Sequence, residues 1–423
     1  MRKWPLREGG RGFSGLPPSV GSIDTVSLEN WLTPPYNREA FWRVRDLAPT
    51  KPIRNGSERV HRLTEKLANL DDILVPSVDV DSRETLSEHL RRTNCDGLCV
   101  VRDGVVRYEW RPRGVAGAFQ SAAQDPSSRH LLMSVSKSLC ATVLGAAVGR
   151  GDVSLDDRVV DVAPEFVDTS VADATVRHLI DMTSGTDFVE DYASYTQPDS
   201  DIQVIDYERQ ANFRPLAGRT PIGVLAHFRS YGLAREHGSW FDYRSPLTNI
   251  VARVLQCATG HDYASLLSRD LWEPIGAEHP ADIVVDSKGF PIAEAGISCS
   301  LRDLARVGMA YVDDGSVGDT RVVPKEWVGD SFTIDRVAHD AFAAAPTNEL
   351  RNDAPWAPRA YRNAWWIVES EQVMTGLGIF GQFCWVHRPS RTVIARFSTW
   401  PEASREDYRD ACLRAFGAIV EVL

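Results

Sequence analysis

The sequence predicts an α+β protein: an antiparallel sheet built from N- and C-terminal strands and flanked by helices, with an inserted, mainly helical domain. Three observations predict it. Residues 98 to 110 read as two β-rich runs joined by Asp103-Gly104, a dipeptide that suits a tight hairpin. A second strand pair lies near the C-terminus, where residues 383–387 and 392–398 flank a turn at Arg388-Pro389-Ser390-Arg391, and a helix is expected over about 404–421. Between the pairs, over roughly 134–310, the pattern is mostly helical, punctuated at Gly149-Arg150-Gly151-Asp152, Thr183-Ser184-Gly185-Thr186 and Gly260.

Taken in order, residues 1–60 are rich in Pro, Gly and Arg and predict an extended arm, with Asn30-Trp31 and Phe41-Trp42 suited to packing it down. The sheet domain is expected to combine 61–133 with 290–423, and the helical domain to span 134–289. A site is expected in the cleft between them. The chain has 423 residues, 43% of them hydrophobic and 25% charged, which is ordinary for a soluble globular protein able to bury a core. A net charge of −11 argues against nucleic acid and anionic membranes as partners and is compatible with a small neutral or cationic substrate. Met1-Arg2-Lys3-Trp4-Pro5 opens no signal-like apolar segment and no long apolar run follows, so the expectation is cytoplasmic. The seven cysteines are odd in number and sit in apolar surroundings, as buried thiols do. No His-Glu-x-x-His, phosphate-cradling glycine loop or Gly-x-Ser-x-Gly elbow is present, and the pattern calls for neither metal nor cofactor.

Within this frame one stretch is chemically odd. Residues 130–148 are almost wholly apolar or small, yet carry Lys137 three positions after Ser134. On a helix the two share a face. A helix apolar nearly all round is buried, and desolvation disfavours a charged amine, leaving it able to accept a proton beside a serine. The basic residues are almost all arginine, which cannot give up its proton; lysine occurs only at Lys3, Lys51, Lys66, Lys137, Lys288 and Lys325. The stretch alone leaves two readings open, a base beside a serine or a lysine snorkelling out of a packed helix.

Further stretches follow in series: Gly151-Asp152-Val153-Ser154-Leu155-Asp156-Asp157, Val176-Arg177-His178-Leu179-Ile180-Asp181-Met182-Thr183-Ser184-Gly185, Tyr243-Arg244-Ser245-Pro246 and Gly378-Ile379-Phe380-Gly381-Gln382. Together with Met133-Ser134-Val135-Ser136-Lys137-Ser138 they resemble, in order, the serine β-lactamase and penicillin-binding-protein superfamily on its class C and esterase side. The resemblance covers about 90–420, and Trp31-Leu32-Thr33-Pro34-Pro35-Tyr36-Asn37-Arg38 extends it toward the 6-aminohexanoate-dimer hydrolase group and its carboxylesterase relatives. It implies a β-lactamase/transpeptidase-like fold.

By that resemblance Ser134 is the nucleophile, Lys137 its proton partner and Tyr243 the third member, with the choice of base between Lys137 and Tyr243 left open. The oxyanion hole is expected from the N–H groups of Ser134, at a helix N-terminus, and Ile379. Where lactamase members carry Lys-Thr-Gly, this chain has Gly376-Leu377-Gly378, losing the cation that would pair with a β-lactam carboxylate. Ser245 in place of asparagine points the same way. Amidase relatives contact the amide nitrogen with a tyrosine on the loop after Thr-Ser-Gly, which here offers Tyr192. Asp199 and Asp201 either attract a substrate ammonium or belong to a solvated acidic loop, Trp365 and Trp366 either wall the cleft or fill the core, and Gly378 lets substrate backbone approach. His178 reads as a structural hydrogen-bonder. The expectation is a serine hydrolase cleaving small linear amides or esters through an acyl-enzyme, 6-aminohexanoate oligomers among them, with a homodimer compatible. The alternatives are a β-lactamase or D,D-peptidase, and a catalytically inactive binding relative.

Overall fold

The computed structural model describes residues 25–56, 60–79, 81–113, 118–192, 195, 202–345 and 356–423. Its main sheet has eight strands: β1 (Thr64–Glu65), β2 (Cys95–Arg102), β3 (Val105–Trp110), β4 (Ala360–Arg362), β5 (Trp365–Val368), β6 (Val373–Gly378), β7 (Gln382–His387) and β8 (Thr392–Ser398). Their order is β4-β5-β6-β7-β8-β2-β3-β1, antiparallel throughout except for the parallel β1–β3 edge. The two sequence-predicted strand pairs join where β8 meets β2, with Ala395 opposite Cys99 and Thr392 opposite Arg102. The sheet is therefore the antiparallel one expected from N- and C-terminal strands.

Strand parity explains why β2 is apolar without a break. Cys99 and Val101 face one core with Cys384, Val386, Val393 and Ala395, while Leu98 and Val100 face a second with Phe383, Trp385 and Ile394. The first face is covered by helix α1 (Val135–Arg150) and helix α3 (Leu301–Val312), the second by α4 (Glu406–Val422), whose Phe416 meets Phe383 at 5.4 Å between ring centroids. Helix α2 (Pro246–Thr259) packs against α1 on the side away from the sheet. Gly308 brings α3 down on β8, since a Cβ there would sit 2.5 Å from Val393. The run from Val135 to Ala147 is buried on every side, and Gly151 closes α1 in the left-handed region at φ 76°.

A second, four-stranded sheet was not legible in the sequence. It runs Thr50–Ile53, Ala281–Val284, Ile297–Cys299, His130–Leu131. Its strands are two to four residues long, and Ala281–Val284 is buried at every position, so no period-two alternation marks it. Its last strand delivers the chain to Ser134. The described part of the arm packs over this region: Trp31 Nε1 donates to Phe213 O at 2.8 Å and Phe41 O accepts from Leu131 N at 2.8 Å. Among the described residues no helix is long and apolar enough to cross a membrane.

Candidate active site

The turn from Leu132 to α1 is built to hold one serine. Leu132 N is anchored on Ile297 O at 2.8 Å, and Met133 adopts φ 47°, a left-handed conformation that a non-glycine residue takes only when its surroundings impose it. Ser134 follows at the N-terminus of α1, where backbone N–H groups are unpaired by the helix. Lys137 Nζ lies 2.8 Å from Ser134 Oγ and 3.0 Å from Glu294 O, and the lysine is 1% exposed. It does not snorkel; its head is held inside by these two partners. The neighbouring hydroxyls fix the helix to the rest of the site: Ser136 Oγ accepts from Ile297 N at 3.2 Å, and Ser138 Oγ donates to Ala364 O at 2.8 Å.

The facing wall is the end of β6. A Cβ on Gly378 would stand 2.6 Å from Leu132 O, so only glycine lets this strand lie against the turn that carries Ser134. Ile379 follows and lines a cavity of about 180 Å³ together with Ser134, Tyr192, Tyr243, Trp366 and Gly378. Tyr243 stacks on Trp366 at 5.6 Å between centroids, and its ring lies 5.1 Å from Lys137 Nζ. Burial pushes the Tyr243 phenol above its ordinary value; Lys137 and Ser134 pull it back and Glu190 adds to the rise. The phenol is thus protonated at rest, and Lys137 moderates the shift without reversing it.

Two acids in the site were not singled out from the sequence. Glu190 accepts from Tyr192 Oη, from Ser245 Oγ at 2.6 Å and from Ser245 N at 2.5 Å. Glu294 presents its carbonyl to Lys137, while burial raises its own carboxyl to about 8 against the pull of Lys137. Nothing in their local sequence marks them, because Glu190 is tied to the site by Ser245, 55 residues on, as well as by Tyr192, and Glu294 by Lys137, 157 residues back. Arg405 and Arg409 also line the cavity.

The remaining predicted residues divide. Ser245 and Tyr192 stand beside Tyr243 through Glu190. Trp366 walls the cavity, whereas Trp365, its neighbour on β5, points to the other face, is fully buried and meets Tyr311 at 4.9 Å. Asp199 and Asp201 lie outside the described residues. His178 caps its own short helix, its Nδ1 accepting from Thr175 N at 3.1 Å, and burial beside His237 lowers its pKa.

A serine in contact with a buried lysine, a tyrosine beside them and a glycine-lined strand opposite, all on a sheet between helical layers, define a class. Residues 83–418 match the beta-lactamase family, and the chain belongs to it and is a hydrolase. Within that family it is 32% identical over 380 residues to the 6-aminohexanoate-dimer hydrolase of Paenarthrobacter ureafaciens, covering 89% of this chain and 88% of that protein. A solved structure from Bacillus anthracis, provisionally assigned as a 6-aminohexanoate-dimer hydrolase, superimposes with a TM-score of 0.81 at 22% identity over 96% of this chain and 98% of that one. A family VIII carboxylesterase gives 0.53 at 14% identity, over 78% and 97%. These two likenesses bear on the fold.

Proposed function

We propose that this hydrolase cleaves small linear amides or esters through an acyl-enzyme on Ser134, with 6-aminohexanoate oligomers a fitting substrate class given the named relative. The observation that carries the reading is the 2.8 Å contact between Lys137 Nζ and Ser134 Oγ inside a cavity also lined by Tyr243. The separation serves an Oγ–H donating to a neutral amine as well as the reverse polarity. In its neutral-amine form Lys137 takes the proton as Oγ attacks the carbonyl carbon, and the oxyanion is received by the N–H groups of Ser134 and Ile379. Tyr243, protonated at rest, hands its proton to the departing nitrogen or oxygen and is restored from Lys137. Water then repeats the sequence on the acyl-enzyme, returning Ser134. The glycine at position 376 fits linear substrates better than β-lactams, since no cation stands there to pair with a β-lactam carboxylate. Stopped-flow hydrolysis of a nitrophenyl ester tests the proposal: a burst equal to the enzyme concentration and an acyl adduct on Ser134 by mass spectrometry are expected. A burst of full size in Ser134→Ala would sink it.

A further inference from the structure

Among the described residues that line the cavity none comes from the N-terminal arm, yet the arm touches the supports of both oxyanion donors. Each proposed donor is next to a residue in the left-handed region: Met133 at φ 47° precedes Ser134, and Phe380 at φ 62° follows Ile379. Bulky side chains keep that conformation only where their surroundings over-determine it. Around Phe380 the surroundings can be named. Its N–H donates to Ala403 O at 2.9 Å, its carbonyl accepts from Trp400 N at 3.1 Å, and its ring meets Phe41 edge-on at 5.3 Å between centroids. The Trp400 carbonyl accepts in turn from Asn37 Nδ2 at 3.1 Å. On the other side, Phe41 O accepts from Leu131 N at 2.8 Å, in the strand that delivers the chain to Ser134.

We propose that Asn37 and Phe41 are positioning residues that hold the two halves of the oxyanion site, the N–H groups of Ser134 and Ile379, in register with each other. The inference rests on the proposed acyl-enzyme reaction on Ser134. The two donors come from different elements, the start of α1 and the turn after β6, so nothing local fixes their relative position. Asn37 and Phe41 are one helical turn apart, Phe41 N donating to Asn37 O at 3.2 Å, and both are fully buried. One short piece of the arm therefore grips both halves. That piece is itself fastened, by Trp31 Nε1 to Phe213 O and by Arg38 to Asp96 at 3.0 Å. Gly378 sets how closely β6 approaches the Ser134 turn, and the arm holds the turn beyond it. Donors aimed at the developing oxyanion act on the transition state more than on the bound substrate, so displacing either one lowers the rate rather than the affinity for substrate.

Phe41→Leu keeps an apolar side chain and the backbone carbonyl but loses the ring against Phe380; Asn37→Leu removes the amide that holds the Trp400 carbonyl. Each is assayed for kcat/KM on a nitrophenyl ester and for inhibition by two ketones carrying the same acyl chain, a trifluoromethyl ketone and the methyl ketone. On the trifluoromethyl ketone Ser134 Oγ bonds to the carbonyl carbon, its proton passes to Lys137, and the carbonyl electron pair becomes the oxyanion; the methyl ketone reports the unreacted carbonyl. The expected result in each variant is a fall in kcat/KM of about tenfold or more, a rise of the same factor in Ki for the trifluoromethyl ketone, and a methyl-ketone Ki within about twofold of wild type. Ile419→Val, buried on α4 in the second core, is the control for a general loss of stability and should leave the ratio of the two Ki values unchanged. A kcat/KM within about twofold of wild type in either folded variant overturns the proposal, as does equal weakening of both ketones, which would mean that the arm only shapes the cavity. Should Phe41→Leu not fold, Asn37→Leu decides alone. If wild type shows no Ser134-dependent turnover and no trifluoromethyl ketone adduct, the proposed function itself fails and takes the arm's role with it.

Discussion

Gly378→Ala probes how closely β6 must approach the nucleophile. The added Cβ would meet Leu132 O at 2.6 Å, where an ordinary contact begins near 3.4 Å, so the strand or the turn must give by about 0.8 Å. Neither can give cheaply. Leu132 O accepts from Val135 N at 3.2 Å in the turn that carries Ser134, and Gly378 pairs with Gln382 across β6 and β7. The displacement falls between Ser134 and Ile379, the two donors proposed for the oxyanion. A shift approaching 1 Å costs about 100-fold in rate, and losing one oxyanion donor costs about 100- to 1,000-fold. We therefore expect kcat/KM for a nitrophenyl ester to fall about 100-fold or more, with a folded protein by circular dichroism. Gly376→Ala is the control: there a Cβ would meet Ser138 Oγ at 3.0 Å, a side chain rather than backbone, and the loss should be at least tenfold smaller. A folded Gly378→Ala enzyme with wild-type turnover would refute the placement of the oxyanion site.

Two other outcomes follow from the same geometry. Lys137→Met keeps the buried stem and removes the amine beside Ser134; ester kcat should fall by about 100- to 10,000-fold, and a fall below tenfold would count against Lys137 as the proton acceptor. Glu294 makes stability depend on pH. Burial pushes its carboxyl up to about 8 in the folded protein from an ordinary 4.5, so its favourable contribution is complete below about pH 4.5 and is lost as pH rises toward 8. Glu294→Gln, a permanent stand-in for the neutral acid, escapes that loss. Urea unfolding should show the variant gaining on wild type between pH 5 and pH 8, by at most about 1.4 kcal/mol per pH unit, whereas a constant difference across that range would mean that Glu294 does not titrate there.

Much of this protein is written locally. The Ser134–Lys137 pairing needs only helical spacing and was legible before any fold was known, whereas the apolar run left open whether the lysine head is buried or snorkels, and the fold buries it. The hairpin at Asp103-Gly104 and the C-terminal strand pair were legible for the same reason, since turn residues and β-rich runs act over a few positions. The ordered motif series added Tyr243, Ser245, Ile379 and Gly378, which no local pattern would have joined to Ser134.

What remained was decided by tertiary contact. Trp365 and Trp366 are chemically identical in sequence, and strand parity alone sends one to Tyr311 in the core and the other to Tyr243 at the cavity. The short second sheet forms because pairing satisfies the backbone of buried segments too brief to carry a pattern. The family resemblance offered Tyr192 as a candidate contact to the amide nitrogen, and helical spacing placed Lys137 near a serine. The folded chain adds the carboxylate of Glu190, which joins Tyr192 to Ser245 from 55 residues away, and the carbonyl of Glu294, which holds Lys137 from 157 residues away.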